Sequence, residues 1–229
     1  MPYDIQRLPT GPGGLFYGVY PALVTDLQDP DGQGRVKIRL PWTPDTGSGR
    51  YEQWARLAVL MAGAGRGTWF IPDVDDEVLV AFEGGNPDRP YVVGALWNGK
   101  DQPPEQMDAD NTKKVIHSRN GIRIVMEDRD GQETLTLETP GGQKMTYTDS
   151  PAAIEISDSG GNSIKLNSSG ITIDTGSTVT VNASMVKVSA SMVTVDAGMS
   201  KFSGVVQCDT LIATSVVGAS YTPGAGNMW

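Results

Sequence analysis

The chain has 229 residues, of which 27 are acidic and 18 are basic, so its formal net charge is −9. No cluster of lysine and arginine is available to displace the counterions of a nucleic acid, so we expect no nucleic-acid partner. The single cysteine, Cys208, excludes a disulfide within the chain and a cysteine-rich zinc site. The first residues lack a secretory signal, and no apolar run approaches the roughly 20 residues of a membrane helix. We therefore expect assembly in the cytoplasm.

The composition of the sequence changes near residue 100. All the tryptophans but Trp229 lie before that point, and charged residues become sparse after residue 170. A shift of this kind predicts two domains. We divide the chain into an N-terminal arm (1–16), a barrel (17–98), a linker (99–114), a shaft (115–214) and a C-terminal tip or cap segment (215–229).

The first hundred residues predict a small antiparallel barrel. Short alternating runs that favour strands cover residues 19–24, 35–40, 54–59, 77–82 and 91–96. Turn formers separate them, with a dense cluster at 29–34 and glycine-rich loops at 63–67 and 83–88. This many strands in so short a segment favour a barrel of the oligonucleotide/oligosaccharide-binding type.

Two segments of the barrel resemble chemical sites. The loop at 63–67 lacks the Lys-Ser/Thr of a phosphate-binding loop and no helix signal follows it, which favours a structural loop. The acidic run Asp73, Asp75, Asp76 and Glu77 has the composition of paired catalytic carboxylates or a hard-cation site. Its position in a turn before an apolar strand favours a solvated loop instead. We therefore predict no catalytic or metal-binding residue.

Short alternating strands continue beyond the linker. They cover residues 121–125, 133–138, 153–157, 163–167 and 170–175, each bounded by Gly, Asn, Asp or Ser. About twelve strands between residues 115 and 214, stacked one layer each, predict a shaft on the order of 55 Å long. A β-sandwich also has short strands, but sandwiches do not repeat their sequence at a fixed spacing.

Three successive heptads, 179–185, 186–192 and 193–199, show that repeat most clearly. Each has valine at its first and third positions, then small turn formers, then methionine; the valines are Val179, Val181, Val186, Val188, Val193 and Val195. Alternating β-branched residues favour a strand rather than a coiled coil. We interpret Met185, Met192 and Met199 as adaptable core fillers at the strand corners.

One strip of two valines per turn buries too little apolar surface to offset the entropy of ordering the chain. Three chains wound around one axis solve this problem, so we predict a homotrimeric β-solenoid shaft, an intertwined three-chain β-helix. Threefold symmetry also brings three copies of His117 or of Cys208 near the axis, and a ring of three such side chains is able to bind an ion. Plain packing or exposure is the favoured interpretation for both residues, and we predict no cofactor.

The barrel segment resembles the central spike proteins of contractile tails, namely the phage baseplate assembly protein V and the barrel of the valine–glycine repeat protein of type VI secretion. Four ordered blocks carry the resemblance: residues 29–42, 62–72, 76–82 and 85–98. The motif residues within them are Gly34, Arg35, Pro41, Trp42, Gly65, Gly67, Trp69, Pro72, Glu77, Pro90 and Gly94.

The resemblance implies a trimeric spike whose barrels sit under a tail hub protein while the shaft points at the target membrane, which it contacts only during piercing. The chain is similar to the minimal form of the family, because only a short linker stands where larger relatives carry a lysozyme domain. The last residues leave the repeat. We expect Tyr221 and Trp229 to fold over the shaft end or to dock a separate tip protein of the PAAR-like kind.

Two classes of function remain. The leading hypothesis is a non-enzymatic structural spike, carried in a virion or injection-particle baseplate and driven through a cell envelope when a sheath contracts. The alternative is a trimeric tailspike or adhesin that binds or degrades a surface glycan, which needs exposed aromatic residues and converging carboxylates. The sparse charge and few aromatic residues after residue 170 count against it.

Overall fold

The computed structural model describes residues 14–43 and 51–220. Within those ranges the chain is all-β, and its only helical element is a single 3-10 turn at Glu83–Gly85. None of the described helical structure is long and apolar enough to span a membrane. The chain forms two compact units, Met1–Thr178 and Val179–Trp229.

The first unit begins with a closed five-stranded barrel. Its strands are β1 (Val19–Asp26), β2 (Val36–Arg39), β3 (Glu52–Leu57), β6 (Glu77–Phe82) and β7 (Pro90–Ala95). A two-stranded hairpin, β4 (Ala62–Gly63) and β5 (Arg66–Gly67), lies between β3 and β6.

The barrel closes in the order β1-β2-β3-β7-β6, with β6 returning to β1. All its strand pairs are antiparallel except β3 with β7. This closed barrel is the oligonucleotide/oligosaccharide-binding fold that the sequence predicted. The five predicted strands are all present, and no bound differs from the predicted one by more than two residues.

Alternation along the strands produces the barrel core. In β2 and the residue after it, Val36, Ile38 and Leu40 are fully buried while Lys37 and Arg39 between them are only partly so. The other core residues on strands are Tyr20, Ala22, Val24, Ala55, Val78, Val80, Phe82 and Val92, and Phe16, which precedes β1, packs with them. Each such aliphatic side chain moved out of water stabilises the barrel by about 1.5–3 kcal/mol.

The barrel has two distinct ends. At one, which we call the linker end, β1 and β3 finish, β2 and β6 begin, and β7 delivers the chain to the linker. Here the Asn98 side chain donates a hydrogen bond to Glu77 over 2.8 Å. At the far end, the backbone N–H of Phe16 donates to the Gly85 carbonyl over 2.8 Å, and the Tyr51 hydroxyl donates to the Pro87 carbonyl.

A seven-stranded antiparallel sheet follows the linker. Its strands are β8 (Lys113–His117), β9 (Arg123–Glu127), β10 (Thr134–Glu138), β11 (Lys144–Asp149), β12 (Ala152–Ser157), β13 (Ser163–Asn167) and β14 (Gly170–Asp174). Each strand pairs with the next one in the sequence, so the sheet grows by one strand per layer, as expected. The backbone hydrogen bonds of this sheet are made within one chain, whereas the sequence had suggested pairing between chains.

The strand content of the predicted shaft differs from expectation in two respects. The segments predicted from the sequence did not include β8 or β11. The described residues 175–220 contain no strand, so seven strands stand where about twelve were predicted. The physical reason is that the heptad strip has no neighbouring strand within its own chain to bond with.

Ion pairs join the sheet to the barrel and to the linker within the first unit. Arg119, in the turn between β8 and β9, lies 2.7 Å from Asp73 at the linker end of the barrel. Glu105 of the linker pairs with Arg123 on β9 and, over 3.6 Å, with Lys113 on β8. The linker end of the barrel is therefore the end that adjoins the sheet.

Candidate functional site

The most distinctive surface of the molecule is one face of the seven-stranded sheet. Residues that lie directly opposite each other in an antiparallel pair project to the same face, so the strand registers define rows across the sheet. One row is entirely apolar: Ile116, Ile124, Leu137, Met145, Ile156, Ile164 and Ile173. A second row on the same face contains Met126, Leu135, Tyr147, Ile154, Leu166 and Ile171, with Lys114 at its β8 end.

These two rows, which we call the apolar face, are not covered within a single chain. None of their members is buried, and the exposed fraction reaches 57% at Ile173 and 70% at Ile171. A contiguous apolar surface of this kind is rare on a soluble monomer and marks a protein interface. The apolar face therefore requires a partner surface of the same chemistry.

The opposite face of the sheet is polar. Its central row runs from Val115 and Val125 through Thr136 and Thr146 to Glu155 and Lys165. The Glu155 and Lys165 side chains approach to 3.9 Å. Water solvates such a face readily, so the sheet has one face for solvent and one for a partner.

The heptad residues show a structural repeat in the second unit. The first valine of each heptad, Val179, Val186 and Val193, is 58%, 64% and 63% exposed. The second valine, at 181, 188 and 195, is 68%, 68% and 69% exposed, and the methionines are 79–83% exposed. Equivalent positions of the three heptads thus have similar exposure. The valines have no cover within the chain, and the prediction that they face a common axis remains a prediction.

An ion pair organises the turn between β1 and β2. The Asp29 carboxylate, with 5% of its side chain exposed, accepts two hydrogen bonds from the Arg35 guanidinium and one each from the backbone N–H groups of Asp31, Gln33 and Arg35. The guanidinium holds the pKa of Asp29 well below its ordinary range, and the N–H donors lower it further against the opposing effect of burial. Asp29 in turn raises the pKa of Arg35. The role of this motif is to fix the turn.

The β4–β5 hairpin and this turn lie side by side at the linker end. Gly34 has a φ of +71°, and a Cβ placed on it would lie 3.1 Å from the Trp69 ring, so only glycine fits without displacement. Gly65, with a φ of +65°, forms the tight turn of the hairpin. At Gly67 a Cβ would lie 2.7 Å from the Met61 carbonyl oxygen. The glycines of the family motif thus bring the hairpin and Trp69 close to the turn.

An open groove of about 720 Å³ lies between the turn and the hairpin. Its lining includes the side chains of Met61, Trp69 and Ile71, and its charged members are Arg56 and Arg66. None of the described lining residues is acidic. The groove therefore combines apolar and polar surface and is locally positive in a chain whose net charge is −9. Sequence reasoning missed Arg56 and Arg66, because nothing in the local pattern shows that they share a groove.

The remaining motif residues have structural surroundings. Trp42 packs in an aromatic cluster, 5.7 Å from the Phe16 ring and 5.5 Å from the Tyr20 ring between ring centroids. Pro90 is buried opposite Phe82, and Gly94 lies opposite Leu79 where the β6–β7 register shifts. Pro41 is exposed and Pro72 is half-buried. These residues of the family motif therefore have structural roles in forming the barrel.

The acidic run at the linker end does not form a converging set of carboxylates. Asp73 pairs with Arg119, the Asp76 side chain accepts a hydrogen bond from the Asp73 backbone N–H over 2.8 Å, and Glu77 accepts one from Asn98. Among the described residues, no group of three His, Cys, Asp or Glu side chains is arranged to hold a metal ion. His117 lies at the end of β8 and Cys208 is an exposed thiol. Tyr221 and Trp229 lie outside the described residues.

Family models match both parts of the chain. Residues 20–97 match the type VI secretion system/phage-baseplate injector OB domain, which covers the barrel and its motif loops. Residues 134–199 match the phage baseplate V C-terminal trimerisation domain, which covers β10 to β14 and all three heptads. The two matches together span more than half of the chain, and the second supports a homotrimer.

Individual relatives agree with this pattern. The type VI secretion system spike protein VgrG1b of Pseudomonas aeruginosa is 30% identical over 151 residues, which is 60% of this chain and 20% of the relative. Spike protein VgrG4b of the same organism is 36% identical over 46% of this chain and 14% of its own length. The actin cross-linking toxin VgrG1 of Vibrio cholerae is 33% identical over 47% of this chain and 10% of its own length. The chain thus spans a fifth or less of these relatives.

Proposed function

We propose that this chain, which belongs to the family of phage-baseplate and type VI secretion spike proteins, is the homotrimeric central spike of a contractile tail or injection-system baseplate. The observation that carries the proposal is the apolar face of the sheet. Three copies around one axis turn three such faces toward each other and leave three polar faces in water. Closed threefold symmetry of this kind buries the apolar face of all three copies equally.

The energetics favour this arrangement. The apolar face presents thirteen side chains in two rows, each partly exposed in the single chain. If each contributes about 1 kcal/mol when its remaining surface is buried, the interface gains on the order of 10 kcal/mol per chain before the cost of association. That is the scale of the whole stability of a small domain, so we expect folding and trimer formation to be coupled.

The mechanism is mechanical stiffness. Each strand of the sheet is bonded to the next, so bending the shaft breaks many backbone hydrogen bonds together. The heptad valines extend the same principle, with Val188 and its equivalents facing the axis in our proposal. A rod of this kind transmits the force of a contracting sheath to its tip without an active site, and we propose that the protein is not an enzyme and needs no cofactor.

The two ends of the chain are expected to bind different partners. We propose that a tail hub protein binds the barrels, that a PAAR-like tip protein docks at the C-terminal end through Tyr221 and Trp229, and that the target membrane is contacted only during piercing. The particle is assembled in the cytoplasm in this proposal. Nucleic acid is not a partner, because the basic residues do not form a continuous patch along the sequence.

Two measurements test the proposal. Light scattering on the purified chain at micromolar concentration is expected to give about three times the 24.4 kDa chain mass. A stable monomer contradicts the proposal. Labelled antibodies on purified particles are expected to mark the centre of the baseplate, whereas peripheral labelling supports the tailspike or adhesin alternative.

A further inference from the structure

A second exposed apolar surface lies on the barrel and is separate from the apolar face of the sheet. Leu60 and Met61 precede the β4–β5 hairpin, and Trp69 and Phe70 follow it. Their exposed fractions are 98%, 50%, 75% and 70%, respectively. The backbone N–H of Thr68 donates to the Met61 carbonyl over 2.9 Å, which holds the two flanks together. We call these four residues the hairpin patch.

The position of the hairpin patch indicates which partner covers it. It follows β3 and adjoins the groove, so it lies at the linker end, which also adjoins the sheet through Arg119 and Asp73. The trimer interface of the proposed function runs along that sheet. The hairpin patch is thus placed next to an interface between copies of this chain, while the far end of the barrel remains available to a hub protein.

The chemistry of the groove beside the patch is matched by the linker. The groove combines the apolar side chains of Met61, Trp69 and Ile71 with two guanidinium groups, Arg56 and Arg66. The linker carries Asp101, Glu105, Asp108 and Asp110 against Lys100 as its only basic residue before Lys113. Between these carboxylates lies Met107, a large apolar side chain that is 94% exposed in the single chain. An exposed methionine flanked by acids is complementary to a groove that offers both apolar side chains and arginines.

We propose that the hairpin patch and its groove bind the linker of a neighbouring protomer, with Met107 against the apolar side chains of the groove and Asp108 and Asp110 facing Arg56 and Arg66. This contact ties each barrel to the next protomer at the base of the shaft. It rests on the proposed function in one respect, namely that the chain is a trimer. It adds a barrel-to-linker contact between protomers that the sheet interface does not provide.

Thiol chemistry tests the contact in the full-length chain. In a Cys208→Ser background, Leu60→Cys and Met107→Cys each introduce one thiol at a side chain with almost no contact inside its own chain, so neither change is expected to disturb folding. Asp88→Cys, at the exposed far end of the barrel, is the matched control. We expect maleimide to label the thiols at 60 and 107 at least tenfold more slowly than the thiol at 88 in the native trimer, and all three equally in denaturant.

The double variant Leu60→Cys/Met107→Cys sharpens the test. Mild oxidation is expected to link neighbouring protomers, which gives a covalent trimer on a non-reducing gel. Suppose that light scattering gives the trimer mass. Fast labelling at both positions, or disulfides confined to single chains, would then overturn the proposed barrel-to-linker contact and leave the proposed function intact. A monomer mass in the unmodified chain overturns the proposed function itself.

Discussion

Ile156 of β12 lies directly opposite Ile164 of β13, and the two side chains are 41% and 39% exposed in a single chain. A cross-strand pair of isoleucines normally belongs to a core, because β-branched side chains pack well on a pleated surface. Here the pair is one step of an apolar row that crosses all seven strands. Because this row is uncovered in a single chain, the geometry of the sheet favours an assembly in which other chains cover it.

The first prediction compares adjacent residues on β10 that face opposite sides of the sheet. Leu137→Asp places a carboxylate in the apolar face, where desolvation and repulsion among three copies are expected to cost several kcal/mol and to prevent trimer formation. Thr136→Asp places the same charge on the polar face and is expected to change stability by less than about 1 kcal/mol. Light scattering and thermal unfolding distinguish them. A trimeric Leu137→Asp variant would show that the apolar face is not the trimer interface.

The second prediction concerns the heptads. Deletion of residues 186–192 removes one whole heptad, so if each heptad forms one layer of the trimeric shaft, as we propose, the repeat is expected to close up by roughly 4.8 Å with its flanks in register. The trimer should survive. Val188→Asp, in contrast, is expected to cost several kcal/mol because three carboxylates then meet at a dry axis.

Lys187, which follows Val186 and precedes Val188, provides the control for the heptads. Since alternate residues of a strand point to opposite sides, Lys187→Ser is expected to leave the melting temperature of the trimer nearly unchanged. If the deletion melts the trimer while Val188→Asp is harmless, Val188 does not face the axis.

Much of this fold was predictable because it depends on local alternation. The barrel strands follow from residues such as Val36 and Ile38, whose period of two is visible in the sequence, and the family blocks identify the barrel independently. β11 is harder to recognise, because Met145 and Tyr147 alternate with threonines in a short segment without the repeated Leu or Ile of its neighbours. The apolar face as a unit was also missed, since it depends on the register between strands rather than on any single strand.

Contacts distant in the sequence were not predictable from local pattern. Gly34 and Trp69 are motif residues, but their approach at the linker end depends on how the hairpin folds back on the barrel. Likewise, Arg56 and Met107 have no distinguishing local signal. Their significance comes from exposure, and exposure is a property of the folded chain. The heptads are the opposite case, because their sequence repeat and their exposure repeat coincide.

The third prediction is the acid sensitivity of the barrel. The pKa of Asp29 is lowered in the folded state, chiefly by the Arg35 guanidinium, so the ion pair contributes stability that is fully present above the unfolded pKa of about 3.9. That contribution is lost as the pH falls below this value. Asp29→Asn is therefore expected to destabilise the barrel at pH 7 and to have a progressively smaller effect toward pH 2.

Denaturant unfolding monitored by tryptophan fluorescence measures this effect. Trp54 is a suitable reporter, because the Arg35 guanidinium lies 5.9 Å from its ring centroid. Asp31→Asn is the control, since Asp31 also contacts Arg35 but has a largely exposed side chain and is expected to matter little at either pH. An Asp29→Asn penalty that is equal at pH 7 and at pH 2 would argue against the ion pair as its source.

The fourth prediction concerns catalysis. Asp73, Asp76 and Glu77 are engaged in separate contacts with Arg119, the turn backbone and Asn98, so their carboxylates are not arranged as an acid and base across a sugar. Purified protein is expected neither to clear peptidoglycan nor to degrade capsule. Reproducible cleavage that disappears with Asp75→Asn, Asp76→Asn or Glu77→Gln would instead support the tailspike alternative.

The last prediction separates backbone strain from a side-chain clash in the β1–β2 turn. Gly32 and Gly34 both have a left-handed φ, +62° and +71°, but a Cβ on Gly32 meets nothing within 4 Å, whereas one on Gly34 lies 3.1 Å from the Trp69 ring. Gly32→Ala is expected to cost about 1 kcal/mol from strain alone. Gly34→Ala is expected to cost about 1 kcal/mol more, because Trp69 must move away. Thermal unfolding of the two variants measures the difference. Equal losses would mean that Trp69 yields freely and that the turn and the hairpin are not packed against each other.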